Sequence, residues 1–295
     1  MDSLSPVPGA TAAPCPPRRG LLHRLGRFGF SGWLGLVLLA FWVLAAVIGP
    51  GLLPRALGGA GSGTVFGPIG ATHWLGTDYL GRDMLVRVVD GARYTVGVAL
   101  VATLFASGIG TSLALLAAAG SQRLDAVLSR VLDTLTAIPS KMFALIMVAG
   151  LGSSVQMLVF TAALIYVPGA FRIARALAVN VAALDYVTVA RIRGEGTLYI
   201  MRREILPNIL GPMLADFGLR FVYVVLLLAG LSFLGLGIQP PAADWGSLVR
   251  ENIGALPDAG ASVIAPALAI ASLTIAVNLV IDSLPGRAER ARLER

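Results

Sequence analysis

Three long apolar stretches constrain this chain more than any other feature of its sequence. They are residues 31–53, 94–119 and 155–171, and none contains a charged side chain. A helix needs about 20 apolar residues to cross a hydrocarbon core of about 30 Å. In lipid every backbone polar group must be satisfied within the protein, so these stretches are predicted to be membrane-spanning helices.

Three weaker segments complete a set of six predicted spans. Residues 208–236 and 263–281 are long enough to cross a bilayer, although the first of them carries two charged residues. Residues 143–151 are apolar but short, and they reach spanning length only in a helix that starts near Ala126. That helix would include three residues that are unusual in a span: Asp133, Pro139 and Lys141. The predicted fold class is therefore an all-α polytopic membrane protein with six transmembrane helices.

The apolar pattern divides the chain into five parts. Residues 1–28 are predicted to be a disordered tail, because they hold five prolines before an Arg-rich stretch. Residues 29–53 form an uncleaved first helix, and residues 54–92 form a loop on the far side of the membrane. Residues 93–283 form the main transmembrane domain of five helices, with a polar segment at 185–208 between two of them. Residues 284–295 are a second tail on the side of the first.

Composition supports this class and excludes others. Hydrophobic residues make up 56% of the chain and charged residues 13%, which is too apolar for a fold with a fully hydrated surface. The single cysteine, Cys15, excludes an internal disulfide framework. A P-loop requires Gly-Lys-Ser/Thr, and the only lysine, Lys141, follows Pro139 and Ser140, so the chain cannot supply its own P-loop ATPase.

Arginine distribution predicts the orientation. Sixteen arginines fall in the two tails and in the loops on their side of the membrane, and five fall in the opposite loops. Loops rich in Lys and Arg remain in the cytoplasm. Both termini and the 185–208 segment are therefore predicted to be cytoplasmic.

The polar segment between the fourth and fifth spans has the pattern of a docking element. Residues 186–208 read YVTVARIRGEGTLYIMRREILPN, an arginine-bearing, glycine-interrupted polar segment that still carries apolar residues. Tyr186, Val189 and Ala190 have the i, i+3, i+4 spacing of one helix face. Such a face favours packing against another surface over a simple connection.

This segment resembles the cytoplasmic coupling motif of ATP-binding-cassette (ABC) importer permeases. Three other segments extend the resemblance to the C-type permease subunit of dipeptide, oligopeptide and nickel importers: HWLGTDYLGRD at 73–83, LSFLGLGIQPPAADWG at 231–246 and NLVIDSL at 278–284. The four segments agree in order and spacing, and the similarity covers about residues 30–284. The resemblance implies a type I ABC importer permease fold, with residues 93–283 as its permease domain.

The resemblance also implies a set of partners. These are a homologous B-type permease subunit, two ABC ATPase subunits or one fused or homodimeric ATPase, and an extracytoplasmic substrate-binding protein. ATP and Mg would be bound by the partner ATPases and no cofactor by this chain, which would be a non-catalytic subunit of a bacterial plasma membrane transporter. No nucleic-acid partner is expected. The coupling positions that match the family are Ala190, Gly194, Leu198, Ile205, Leu206, Pro207 and Asn208.

Two of these positions have a conformational reason for their residue type. Gly194 can adopt the positive φ needed to turn between two short helices. Pro207 fits the first turn of the following span, where a missing N–H costs nothing. The chain departs from the family at Thr188, Val189 and Ala190, where Glu-Ala-Ala is common, so the acidic contact to the ATPase is missing.

An ionisable pair in the fifth span is a separate candidate site. Asp216 and Arg220 are four residues apart and share a helix face. Intramembrane charges usually face an interior or an aqueous cavity. Two interpretations remain: the pair lines the translocation path, or it is a structural pair near the cytoplasmic side.

The segment at 73–83 offers a third candidate site. Its polar and glycine positions are His73, Gly76, Asp78, Gly81, Arg82 and Asp83. His73, Asp78 and Asp83 could be metal ligands, but turn chemistry is the favoured interpretation and no metal site is predicted. In the favoured interpretation, Asp78 and Asp83 cap helical turns, and Gly76 and Gly81 supply the bends.

Three functional hypotheses from different classes follow. The first is a permease subunit of an ATP-driven importer, for di- or oligopeptides, or in the same architecture for nickel or another small solute. The second is a secondary transporter or channel, which usually shows internal repeats, and none is found. The third is an intramembrane enzyme, for which catalytic residues are lacking. The sequence favours the first.

Overall fold

The computed structural model describes residues 29–52, 64–257 and 260–283. The predicted tails at 1–28 and 284–295, and the start of the predicted 54–92 loop, lie outside the described residues. The described part is helical, with a single isolated β-bridge between Thr77 and Asp83.

Ten α-helices form this described part. Their bounds are α1 Phe30–Leu52, α2 Met84–Ala119, α3 Gln122–Thr136, α4 Ser140–Leu151, α5 Val155–Ala182, α6 Asp185–Ile192, α7 Thr197–Tyr199, α8 Leu206–Phe233, α9 Trp245–Asn252 and α10 Ala261–Asp282. A π-helical segment, Ile200–Ile205, joins α7 to α8, and a 3₁₀ turn, Ile253–Ala255, follows α9.

Five of the helical stretches in the described residues are long and apolar enough to cross a membrane. They are α1, α2, α5, the continuous run from α7 through α8, and α10. The count rises to six if α3 and α4 are taken as one broken span. The fold is the all-α polytopic class that the sequence predicted.

The predicted span that begins near Ala126 is the one that differs most from a straight helix. It is divided between α3 and α4, which meet at an angle of 81°. Pro139 has no N–H with which to continue α3, and it disfavours helical backbone at Ile138. The proline that the sequence placed inside this span therefore ends the first helix.

Two predicted boundaries are also corrected. Helix α2 begins at Met84, inside the predicted 54–92 loop, because the Asp83 side chain caps it by accepting from the Val86 N–H. Helix α5 continues to Ala182, well past the predicted end at 171. The sequence assigned the arginines beyond 171 to a loop because they are charged.

Arg172 and Arg175 instead lie on α5 and pair with carboxylates of α3. Arg175 pairs through two nitrogens with Asp125, and Arg172 Nη2 lies 2.8 Å from Asp133 Oδ1. The paired positions are eight residues apart on α3 but only three apart on α5. Helix α3 therefore crosses α5 obliquely.

Among the described residues two apolar cores fill the bundle, one extending from the Met84 end and one at the Ala119 end. At the Met84 end, Trp245 of α9 inserts beside α2: its indole N–H donates to the Val88 carbonyl at 2.8 Å, and its ring lies 4.7 Å from the ring of Trp42. At the Ala119 end, buried residues from α2, α3, α5, α6 and α8 pack together; they include Ala117, Leu132, Ala178, Val187 and Ile209. The second core fixes the 185–208 segment to the spans.

Candidate functional site

The 185–208 segment folds into two short helices joined by a tight turn. Helix α6 ends at Ile192, and Gly194 follows with φ +80°, a conformation that L side chains rarely adopt. The Glu195 N–H donates to the Ala190 carbonyl at 3.2 Å and closes the turn. The chain then enters α7 and continues through the π-helical segment into α8. The predicted turn at Gly194 is confirmed.

One face of this segment is buried against the bundle. Val187 of α6 and two residues of the π-helical segment, Ile200 and Ile205, belong to the core at the Ala119 end, and Ala190 of α6 is buried as well. Ala190, which the sequence grouped with Tyr186 and Val189 on one docking face, therefore points inward, as does Ile205. Helix α6 packs against the π-helical segment and α5, contacts that local spacing does not reveal.

The opposite face of the segment is apolar and open. We call this surface the α6–α7 face; its exposed apolar side chains are Tyr186, Val189, Ile192 and Leu198. Ile192 is 80% exposed and Leu198 is 64% exposed, values unusual for aliphatic side chains outside a span. The exposed arginines Arg191 and Arg193 border it. Of the predicted coupling positions, Leu198 lies on this face and Gly194 lies at its turn.

The remaining predicted positions connect this segment to the long helix α8. Leu206 and Pro207 form the first turn of α8, where a proline is tolerated. Asn208 donates through its side-chain amide to the Tyr186 hydroxyl at 2.9 Å and to the Glu204 carbonyl at 2.6 Å. A hydrogen bond and a shared core thus join α6 to the start of α8.

Asp216 and Arg220 form a buried ion pair on α8. Arg220 Nη2 lies 2.7 Å and 2.9 Å from the two carboxylate oxygens of Asp216. Arg220 Nη1 also donates to the Tyr166 carbonyl of α5 at 3.0 Å. A Cβ placed at Gly169 would lie 2.9 Å from the same nitrogen, so a glycine there gives the guanidinium its room. The predicted pairing is confirmed, and the pair joins α8 to α5; a role in the path stays a prediction.

The 73–83 segment forms a compact series of turns before α2. His73 Nδ1 lies 2.8 Å from Asp83 Oδ2, while the other Asp83 oxygen caps α2. Asp78 accepts from the backbone N–H groups of Leu80 and Arg82 through Oδ1. Gly76 and Gly81 have φ of +72° and +71°. These contacts match the predicted turn chemistry, and within the described ranges no three His, Cys, Asp or Glu side chains are grouped as metal ligands.

Asp78 is also the centre of a buried charge cluster that sequence reasoning missed. We call it the Asp78 cluster; its members are Asp78, Arg82, Arg87 and Glu251. Arg82 Nε lies 2.6 Å from Asp78 Oδ2, but Glu251 Oε2 is 3.8 Å from Arg82 and 3.6 Å from Arg87. No local pattern predicts this pairing, because Glu251 lies on α9, far along the chain from both arginines.

Burial sets the protonation behaviour of two carboxyls on the 235–257 segment. Burial raises the pKa of Glu251 above its usual 4.5, although the nearby Arg87 and Arg82 oppose the shift. Burial likewise raises the pKa of Asp244, while hydrogen bonds from Ser232 and Ser247 oppose it. Asp244 forms a capping box at the start of α9 with Ser247. Glu251 thus joins α9 to Arg82 and Arg87, and Asp244 joins the start of α9 to Ser232 of α8.

Comparison with known proteins gives a consistent result. Residues 107–291 match the family described as binding-protein-dependent transport system inner membrane component. The chain is 37% identical over 267 residues to a putative peptide transport system permease protein of Brucella abortus, covering 90% of this chain and 88% of the relative. It is 34% identical over 212 residues to the dipeptide transport system permease protein of Haemophilus influenzae, covering 72% of each. It is 35% identical over 218 residues to the glutathione transport system permease protein of Pectobacterium atrosepticum, covering 74% of this chain and 72% of the relative.

Proposed function

Because the chain belongs to the binding-protein-dependent transport system inner membrane components, we propose that it forms half of the translocation pathway of an ATP-driven importer for short peptides. A homologous permease supplies the other half. Two ATPase subunits, or one fused or homodimeric ATPase, bind ATP and Mg on the cytoplasmic side, and an external binding protein delivers the solute. This chain has no catalytic role in the proposal.

The observation that carries this proposal is the open α6–α7 face. Its exposed apolar side chains and bordering arginines give a surface that a partner with an apolar, acidic groove would cover. The same segment is fastened to α8 through Asn208, Tyr186 and the buried Ile205. Movement of a bound ATPase would then be transmitted to a helix that crosses the membrane.

The proposed orientation places the Ala119 end of the bundle in the cytoplasm. Eight arginines of the described residues lie on helices or loops at that end: Arg123, Arg130, Arg172, Arg175, Arg191, Arg193, Arg202 and Arg203. The Met84 end has four: Arg82, Arg87, Arg93 and Arg250. The imbalance supports a plasma membrane protein with the α6–α7 face inside.

Peptides are the proposed solute because three relatives carry peptide, dipeptide or glutathione transport in their names. Glutathione is itself a short peptide, so the three names describe one chemical class. Nickel and other small solutes remain the outcomes that a transport assay would have to exclude.

The proposal is tested with the Leu198→Glu variant of the tagged permease, expressed with its partner subunits. Leu198 is exposed, so the change should leave the fold intact, while loss of the leucine's burial in the contact should cost about 1.5–3 kcal/mol of docking. Fewer ATPase chains should co-purify, and peptide uptake should fall. The control is Gln122→Glu, which adds the same charge at an exposed position of α3 at the same end. Equal ATPase recovery and uptake in the parent and both variants would contradict the proposed docking surface.

A further inference from the structure

The break between α3 and α4 exposes backbone and polar side chains at a depth where a membrane protein rarely has them. All five residues from Ala137 to Lys141 are exposed in this chain. Irregular backbone at membrane depth is tolerated only where it is covered by protein or lines a water-filled cavity. The break must therefore face a partner subunit or water in the assembled transporter.

Helix lengths place this break near the middle of the bilayer. Helix α4 has 12 residues and rises about 18 Å, which is too short for a hydrocarbon core of about 30 Å. It turns back into α5 through Gly152 and two serines, and α5 carries no charge from Val155 until Arg172. The Val155 end thus lies near one membrane boundary. Lys141, ten residues before Leu151, lies about 15 Å below it.

Lys141 lies on the side of α4 that faces the bundle. It is three and seven residues before Ala144 and Val148, which are buried, and so shares their helix face. Met142 and Ile146 are 61% and 67% exposed and lie on the opposite, outward face. The lysine itself is exposed. Because it shares the face of Ala144 and Val148, it points away from the outward face of Met142 and Ile146.

The charge at this depth is unbalanced. Arg220 bonds the Tyr166 carbonyl, which lies about 17 Å along α5 from Val155 and so at a similar depth. Arg220 and Asp216 neutralise each other. Among the described residues no carboxylate forms an ion pair with Lys141, the only lysine in the chain. The uncapped N-terminus of α4 adds potential of the same sign.

We propose that Lys141 lines the solute pathway at mid-membrane depth and contacts the carboxylate of the solute as it passes. The proposal rests on the proposed function for its solute, since every peptide with a free C-terminus carries a carboxylate. It adds a residue that determines specificity within the permease itself. A charge-assisted hydrogen bond from an ammonium group is the contact that a desolvated carboxylate needs.

The position of Lys141 is tested by thiol labelling of the complete transporter in membranes, in a Cys15→Ser background. The Lys141→Cys variant should react with a small hydrophilic thiosulfonate, while the adjacent Met142→Cys variant should not, because its side chain faces outward. An unreactive Lys141→Cys variant would overturn the pathway assignment, and so would equal reaction of both variants.

The charge preference is tested at the neighbouring exposed Ser140. With Lys141 present, the Ser140→Cys variant should react faster with an anionic thiosulfonate than with a cationic one. Adding Lys141→Gln should abolish this preference. A preference that is absent with Lys141, or that survives its removal, would overturn the proposal. Neither labelling result depends on the solute.

Solute recognition is tested by uptake of a peptide and of its C-terminal amide. Discrimination by the binding protein is common to all variants, so only a change in the uptake ratio reports on Lys141. The ratio of free to amidated peptide should fall about tenfold in Lys141→Gln and be retained in Lys141→Arg. An unchanged ratio would overturn carboxylate recognition. A parent transporter that imports neither peptide would instead contradict the proposed function, and the labelling results would still decide whether Lys141 forms an anion-preferring site in the path.

Discussion

At the scale of single residues, two buried sets of charges differ in how completely they are satisfied. Arg220 and Asp216 contact each other through three hydrogen bonds, and Arg220 has a further acceptor on α5. The Asp78 cluster is looser: Arg82 Nη2, Arg87 Nε and Glu251 Oε2 are buried without a hydrogen bond. A buried donor or acceptor without a partner costs about 1–3 kcal/mol. The first set should therefore stabilise the fold more than the second.

Breaking the pair on α8 should be more harmful than removing it. The Arg220→Leu variant leaves Asp216 buried without its counter-charge, which typically costs about 3–5 kcal/mol. Exchanging both residues for apolar ones leaves no orphan charge and should cost less. Thermal unfolding in detergent measures the difference. A double variant less stable than either single variant would contradict the role of the pair as a mutually dependent unit.

Glu251 should make stability depend on pH in a definite direction. Its folded pKa is raised above the usual 4.5, so the folded protein binds its proton more tightly than the unfolded chain. The contribution is fully present below the unfolded pKa and is lost as pH rises through the folded pKa. Glu251→Gln should remove this part of the pH dependence. Unfolding temperatures of parent and variant between pH 4 and 7 measure it, with the exposed Asp90→Asn as control; parallel curves for the parent and Glu251→Gln would contradict the assignment.

At the scale of elements, the turn between α6 and α7 depends on one backbone conformation. Gly194 has φ +80° and open space around its Cα, so a side chain there meets strain and not a clash. Gly196, two residues later, has φ −71° and equally open space. The two glycines differ in the sign of φ and not in the space around them, so they form a matched pair for substitution.

Gly194→Val should distort the α6–α7 face at a cost of about 1–3 kcal/mol, while Gly196→Val should be close to neutral. Gly194→Asn should be milder than Gly194→Val, because asparagine tolerates positive φ. ATPase recovery and peptide uptake of membrane-inserted protein measure the effect. Equal behaviour of the two valine variants would show that the turn conformation is not required for coupling. Ala190 is less useful as a probe, because it is buried and a bulky residue there would disturb the core.

At the scale of the whole molecule, each end of the bundle has its own packed core and its own exposed surface. The Met84 end is closed by α9, whose Trp245 and Asn252 bond to α2 and to the 64–83 segment. The Ala119 end carries the α6–α7 face and most of the described arginines. The two ends must lie on opposite sides of the membrane, because α2 and α5 run between them.

Thiol labelling in intact cells or spheroplasts should distinguish the two ends. In a Cys15→Ser background, the Trp74→Cys variant should react with a membrane-impermeant reagent, since Trp74 is exposed at the Met84 end. The Arg202→Cys variant, exposed at the opposite end, should react only after the membrane is permeabilised. The reverse pattern would invert the orientation.

The sequence by itself determined the features that depend on local free energies. The free energy of transferring apolar residues into lipid adds up along a segment, so five spans were evident from the composition of each stretch. The positive φ at Gly194 and the i, i+4 pair of Asp216 and Arg220 are also local properties, and both are present. The resemblance to the family likewise follows from four sequence segments, at 73–83, 186–208, 231–246 and 278–284, that agree in order and spacing.

Only the tertiary structure decided which faces are covered and which distant charges meet. Ala190 is buried although its spacing groups it with exposed residues, and Glu251 joins Arg82 and Arg87 from a separate helix. Arg172 and Arg175 lie within α5 and meet their carboxylates on α3, a separate helix. The form of the break before α4 is also visible only in the structure. A proline within a span can kink a helix or end it, and here Pro139 ends α3 and α4 continues at an angle of 81°.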